Sequence, residues 1–340
     1  MRVPLSFLRA FAVGWLLLSL PAYGLIERRL ERSFPVGDKA ALKVDSFYGR
    51  VTVREVPDAK QISVVVLQSA DVDTEAGMEH CLKALDLRME QARSGTVSVS
   101  ARFKNSFTWS WKAWPPVVLV YEIQVPRRCD VQITTGEGSI STGALQGRVV
   151  LRSESGAIFS GEVEGSVKAR NRSGAVAITA CTGPLDVSTD TGNITVGRAS
   201  GRATLASSGG LIELQRAAGE VVVCGDGSDA QVGFVSPITH AANISTSGGS
   251  VSLVVENSAA CTLDVRASMF GKVALRGDLP LTVNSGAVGQ SELKAEVNGG
   301  GVRIRARAAG GNVLVRGVVP LPADNGAKAV QASAGSVGGV

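Results

Sequence analysis

The chain has little with which to do chemistry. Of its 340 residues only two are histidine, His80 and His240, and aromatic side chains make up 5%. A Ser/His/Asp arrangement therefore has almost no imidazole to draw on. The five cysteines, Cys81, Cys129, Cys181, Cys224 and Cys261, are odd in number and form neither a CxxC pair nor a Cys/His cluster. That scatter argues against a metal site and a disulfide framework, and they read as small buried hydrophobes. Charged residues reach only 19%, the formal net charge is +5, and no basic run interleaves with aromatics. Nucleic acid is not an expected partner. What the chain has in excess is glycine, 40 residues, or about 12% against a usual ~7%. Collagen is excluded because the glycines never settle into a period of three. General disorder is excluded by an apolar fraction of 44%.

The first segment reads as an address. Arg2 and Arg9 precede an apolar stretch from Ala10 to Leu20, and Pro21-Ala22-Tyr23-Gly24 supplies small residues at a cleavage site. The stretch is too short for a hydrocarbon core, which needs about 20 apolar residues. Residues 1–24 are therefore a candidate secretory signal peptide cut after Gly24, and the mature chain is expected to be exported without a transmembrane segment.

From Gly138 to Gly219 glycine stands at every ninth position: Gly138, Gly147, Gly156, Gly165, Gly174, Gly183, Gly192, Gly201, Gly210 and Gly219. Two residues after each comes an apolar side chain, from Ile140 and Val149 through to Ile212 and Val221, and a second, mostly apolar position follows two further on. Gly-x-h-x-h followed by four small or polar residues describes one short strand and one turn. A strand with two inward side chains cannot bury its face alone, so successive units must stack on one another. The expected fold is all-β, a parallel β-solenoid of β-helix or β-roll type. Two units, about 18 residues, make one coil, since Gly143, Gly161 and Gly197 share one phase and Arg152 and Arg170 another. Handedness is expected to be right.

The unit returns after a break from Gly225 to Ser247, at Gly249, Gly271, Gly300 and Gly311. The repeats over 129–317 make roughly ten coils, or a rod of about 50 Å at ~4.8 Å per coil. Residues 318–340 have no periodicity and read as a disordered tail. Residues 25–128 read as a small α+β cap over the open edge of the stack. It has strands at Leu42–Val44, Val51–Val53 and Ile62–Leu67, one helix beginning near Asp73 or Thr74, a hairpin turning at Ser94-Gly95, and a strand over Val117–Val125.

Val120-Tyr-Glu-Ile-Gln-Val-Pro126, followed by Asp130-Val-Gln-Ile-Thr-Thr-Gly-Glu-Gly-Ser-Ile140, resembles a bacterial family of exported domains of unknown function known as putative adhesins. Ser173-Gly-Ala-Val-Ala-Ile178 and Thr191-Gly-Asn-Ile-Thr-Val196 carry the same likeness, which extends over roughly residues 34 to 316. The resemblance implies a signal peptide, an N-terminal region with one helix, and Gly-rich solenoid repeats. It implies no catalytic residue, because Gly-x-h-x-h is a packing rule without a reactive group.

Chemistry has few places to reside. A calcium β-roll needs carboxylates in phase, and Asp186, Asp190, Asp226 and Asp229 do not recur in phase. No metal and no cofactor is expected. The candidate ligand-binding residues are Phe107, Trp109, Trp111 and Trp114, which either fill a cap core or present ring faces to sugars. Outward positions of one face, among them Ser139, Ala157, Phe159 and Ala175, are small and uncharged and read as sheet exterior or a docking face for the cap helix or a partner. Arg152 and Arg170 read as a solvated edge that could also hold an acidic glycan. The expected function is that of a non-enzymatic solenoid of the bacterial cell envelope, periplasmic or at the cell surface, adhesin-like, binding envelope polysaccharide or another envelope protein. The alternatives are a carbohydrate-active enzyme on a β-helix and a structural protein that stacks end to end.

Overall fold

The computed structural model describes residues 25–104, 116–268 and 270–319. The candidate signal peptide, the cluster Phe107, Trp109, Trp111 and Trp114, and residues 320–340 of the tail lie outside the described residues. About two thirds of the rest is strand, paired mostly in parallel, with one helix among the described residues.

Seven strands and the helix come first: β1 (Leu25–Pro35), β2 (Ala40–Tyr48), β3 (Arg50–Val56), β4 (Gln61–Asp71), α1 (Glu75–Lys83), β5 (Leu85–Gln91), β6 (Thr96–Phe103) and β7 (Val118–Pro126). Thr74 caps α1, its hydroxyl accepting from the Gly77 N–H at 3.1 Å, which satisfies one of the donors a helix start leaves open. The predicted hairpin is β5 against β6, antiparallel.

Beyond Cys129 the chain alternates between two ladders. The first contains β8 (Cys129–Glu137), then, after β9 (Ile140–Thr142), β10 (Leu145–Ser155) and the second half of β11 (Ile158–Ser173). After β12 (Val176–Cys181) it continues with β13 (Leu185–Thr191), and after β14 (Ile194–Ala199) with β15 (Ala203–Ser207). It runs on through β17 (Val221–Gly225), which follows β16 (Ile212–Ala217), and β19 (Ala242–Thr246), which follows β18 (Ala230–Phe234). The second ladder is β9, the first half of β11, β12, β14, β16, β18 and β20 (Val251–Glu256). Partners facing each other across neighbouring strands, such as Thr142 and Ser160, stand 18 positions apart in sequence.

Alternation decides which side chains go inside. Val149, Leu151, Val167, Leu185 and Val187 of the first ladder, and Ile158, Val176, Ile178, Ile194 and Val196 of the second, are buried in one continuous core. Each contributes about 1.5–3 kcal/mol of transfer free energy. The intervening positions, including Ala157, Phe159, Ala177 and Thr195, face outward as the pattern predicts, all at least half-buried or exposed.

Two features of the winding differ from the expectation. The break from Gly225 to Ser247 interrupts no ladder: β18 pairs with β16 and β20, and the coil is merely longer, with Val221 facing Ala242 and Ala230 facing Val251 across 21 positions. Its signal was lost because Ser228 replaces the leading glycine. The last coil is also not last in space. After β21 (Cys261–Arg266), β22 (Val273–Arg276), β23 (Leu281–Gly286) and the reversed β24 (Glu292–Val297), the chain returns as β25 (Arg303–Ala308) between β19 and β21. β26 (Val313–Val318) likewise enters between β20 and β22. Antiparallel β24 makes this return possible, and Asn298 holds the turn with amide bonds to the carbonyls of Asn257 (2.8 Å) and Ala259 (2.7 Å). The N-terminal region mirrors it: β2 lies between β6 and β8, and β3 between β7 and β9.

The glycines meet a stricter demand than flexibility. At Gly165 the backbone has a φ of +149°, and a Cβ there would lie 2.1 Å from the Gly147 carbonyl oxygen of the preceding coil. Gly183 has no positive φ, yet its Cβ would still come within 2.4 Å of the Gly165 oxygen. The corners of adjacent coils touch backbone to backbone, and any side chain would force the ladders apart.

Next to these corners runs a buried polar column that the repeat pattern did not disclose. Ser46, Thr135, Ser153, Asn171, Thr189 and Ser207 are all buried and in register along the first ladder. Asn171 donates to the carbonyls of Gly156 (2.8 Å) and Gly174 (3.0 Å), and Ser207 to that of Gly209 (2.6 Å). Asn171 thereby pairs carbonyls of two successive glycine corners, while the Gly209 carbonyl also accepts from the Gly192 N–H.

Replacing Gly165 with alanine is expected to cost about 3 kcal/mol or more, combining strain with backbone overlap. Gly37, whose Cβ would meet nothing within 4 Å, should accept alanine within ~0.5 kcal/mol, and urea denaturation of the two variants distinguishes the cases. Asn171→Ala should lose about 1–3 kcal/mol by leaving buried carbonyls unpaired, read in the same titration.

Candidate functional site

The outward surfaces of the two ladders are the places where a partner could lie, and their chemistry differs. Over its first coils the second ladder presents Ser139, Ser141, Ala157, Phe159, Ala175 and Ala177, a low and uncharged stretch, and further along it carries Arg198 directly opposite Arg216. Of the readings open for this face, docking of the cap helix does not occur. α1 packs beside β5 at the N-terminal end, where its Met78 is buried, and Arg28 of β1 bonds Glu75 on its exposed side.

The first ladder is charged. Lys168 pairs with Asp186 across adjacent strands at 2.9 Å, Arg172 with Glu154 at 3.0 Å, and Arg127 with Glu164 at 2.7 Å. Among these pairs stand Arg152 and Arg170, directly opposite each other on β10 and β11. Both are exposed. Neither has an ion pair or side-chain hydrogen bond among the described residues. Like charges facing across about 4.8 Å repel, and their other neighbours in register, Thr134 and Ser188, carry no charge to offset this.

The acidic residues are engaged in holding coils together. Asp130 Oδ1 accepts from the Arg148 N–H at 2.7 Å, Asp229 Oδ1 from the Ser250 N–H at 2.7 Å, and Asp226 from the Ser247 hydroxyl at 2.5 Å. Asn193 does the same for the Leu211 N–H at 2.9 Å. Each staples the start of one coil to the next. Among the described residues no group of three or more His, Cys, Asp or Glu is arranged to hold a metal ion. His80 sits on α1, and exposed His240 lies in the loop before β19, 2.9 Å from the Thr239 hydroxyl.

All five cysteines are free. Burial pushes the Cys129 thiol up to about 12, with the Asp130 charge adding to it, and the Cys261 thiol up to about 11. Cys181 is raised for the same reason. Cys224 departs from the expected burial: it alternates with inward Val221 and Val223 on β17 and so points outward, exposed. Tyr121 is wholly buried and is pushed up to about 12 by desolvation, while its hydroxyl shares a 2.8 Å hydrogen bond with Ser46.

The sequence-predicted aromatic residues Phe107, Trp109, Trp111 and Trp114 fall outside the described residues, so the surfaces above are what the fold itself presents. No helix among the described residues is long and apolar enough to cross a membrane.

Because the thiolate is the reacting species, Cys224 is expected to react with Ellman's reagent at pH 8 as a free thiol. Cys129, Cys181 and Cys261 should react only after denaturant is added. In a Cys81→Ser background, so that half-buried Cys81 does not contribute, Cys224→Ser should remove the fast phase, and a fast phase that survives it would show the core thiols to be open.

No protein-family model and no curated protein matches the chain. Solved structures do resemble it at low identity. A protein described as a putative adhesin from Bacteroides fragilis NCTC 9343 is 9% identical over 86% of this chain and 97% of its own, with a TM-score of 0.41. Putative adhesins from Parabacteroides distasonis ATCC 8503 and Parabacteroides merdae ATCC 43184 are each 11% identical, with TM-scores of 0.37 and 0.34. The former covers 86% of this chain and 97% of its own, and the latter 85% and 96%.

Proposed function

We propose that this chain is an exported, non-enzymatic β-solenoid of the bacterial cell envelope, wound at 18 residues per coil, that binds an acidic envelope polysaccharide in the manner of an adhesin. The observation that carries the reading is the opposed pair Arg152 and Arg170, exposed and without carboxylate partners on a ladder whose other cations are largely paired. A bound polyanion would relieve their repulsion, and a guanidinium can hold a carboxylate or sulfate through two parallel hydrogen bonds. A rigid, laddered stack suits this role because it holds cations at a fixed spacing without ordering cost on binding.

An enzymatic reading would require grouped carboxylates on one outer face. Asp130, Asp226 and Asp229 instead bond the next coil, and Asp186 pairs with Lys168. Export is supported by the basic, apolar and small-residue order of residues 1–24.

The test is retention on immobilised uronic-acid polysaccharide. The double variant Arg152→Ala/Arg170→Ala should lose roughly tenfold in affinity at low ionic strength, the wild type should lose most of its binding as salt rises, and thermal stability should not fall. Retention unchanged in the double variant would rule out this surface. Protease shaving of intact cells separates the periplasm from the outer surface.

A further inference from the structure

The two ladders end at the N-terminal side in β1 and β5, each paired on one edge only, β1 with β4 and β5 with β6. Their inward faces meet across the end of the core. Leu30 comes from β1, Leu85, Leu87 and Met89 from β5, and Leu82 from α1, and together they line a cleft of about 530 Å³. Leu30 remains 40% exposed. The volume falls within the range of small-molecule sites, and the apolar side chains share the lining with charged and polar ones.

One such group is Gln68. It lies on the inward face of β4 between Val66 and Ala70, borders the cleft and is only 3% exposed. Its amide makes no hydrogen bond within the described residues. The other is Arg32, which donates to the Met89 carbonyl at 3.0 Å and so links β1 to β5 across the mouth. A guanidinium has five N–H donors, so Arg32 has others to offer. The remaining charges of the lining are largely engaged: Arg28 with Glu75, Arg88 with Asp86 at 2.8 Å, and Glu31 with Arg29 at 3.1 Å, while Glu90 stands exposed at the rim. Arg32 is left as the cation of the cleft without a carboxylate partner among the described residues.

We propose that this cleft binds a monomeric fatty acid, its carboxylate taking hydrogen bonds from the Gln68 amide and Arg32 and its alkyl chain covering Leu30, Leu82, Leu87 and Met89. The site is independent of the polysaccharide surface, since Arg152 and Arg170 lie on β10 and β11, beyond β6, β2 and β8 along the same ladder.

The experiment is calorimetric titration of the purified chain with dodecanoate below its micelle concentration, alongside dodecyltrimethylammonium as a cation with the same tail. Saturable one-to-one binding of dodecanoate, at least tenfold tighter than the cation, is expected. Gln68→Leu and Arg32→Ala should each weaken dodecanoate roughly tenfold and narrow the preference over the cation, with melting temperature held in Arg32→Ala. Leu87→Glu should abolish binding. Equal affinity for both amphiphiles, no saturation, or Arg32→Ala binding as wild type overturns the proposal. So does a dimer in sedimentation that Leu30→Glu dissociates while dodecanoate fails to bind, because the cleft would then belong to a second copy. Retention on phospholipid vesicles without binding of the monomeric acid overturns it as well.

Discussion

The contact on which everything else depends is the one between glycine corners. Gly147, Gly165, Gly183 and Gly201 lie one above another, each with its α-carbon pressed toward the carbonyl of the one before, and Gly138, Gly156, Gly174 and Gly192 form a second such column. Parallel strands hydrogen-bond at about 4.8 Å, so corners that stack at the same interval have no room for a β-carbon. Once the corners are that tight, the strands between them must face each other across a narrow interior. The branched side chains at alternate positions fill that interior, and the intervening side chains are delivered outward in vertical files. The opposed pair Arg152 and Arg170 is a consequence of this geometry, since residues in the same phase of the repeat have nowhere else to be than side by side.

A stack built this way has two ends, and both are treated alike. The coil formed by β2 and β3 and the coil formed by β25 and β26 lie inside the stack, each held on both sides by parallel neighbours. The chain leaves β2 and β3 for antiparallel strands β4 and β5, and it reaches β25 and β26 by way of antiparallel β24. Burying these coils protects the parts of the repeat that would otherwise fray, because an interior strand opens only when its neighbours do. The cost is that the outermost strands are irregular. β1 carries charges along its length and β23 is exposed over nearly its whole span, which discourages pairing with foreign strands at β1 and leaves the N-terminal core incompletely covered.

Much of this was readable from the residues alone. The ninefold clock of glycine, the inward identity of Val167 or Ile178, the cap at Thr74 and the hairpin at Ser94-Gly95 are local signals, and local signals survive folding when each strand repeats the same environment. Where the reading went astray, the reason was either a contact between distant residues or residue chemistry weighed above strand phase. Ser228 hid a strand because a serine can occupy a glycine corner when its hydroxyl finds the Ser207 carbonyl. Cys224 was placed inside on its chemistry, although its phase on β17 puts it outside. The polar column from Ser46 to Ser207 looked like turn composition, since nothing in a serine or threonine says that its hydroxyl will be buried under a carbonyl one coil away.

By itself the sequence determined the repeat: its period, the face each side chain takes and the places where only glycine can stand. These follow from alternation and from sterics within a few residues. Tertiary structure alone decided the order in which the outer coils are stacked, which carboxylates are used up as staples between coils, and that Gln68 and Arg32 meet leucines from β1, α1 and β5 at one mouth. Those outcomes depend on where antiparallel strands turn the chain back and on distances between residues far apart along it, and no periodicity encodes a distance that closes only once the chain is folded.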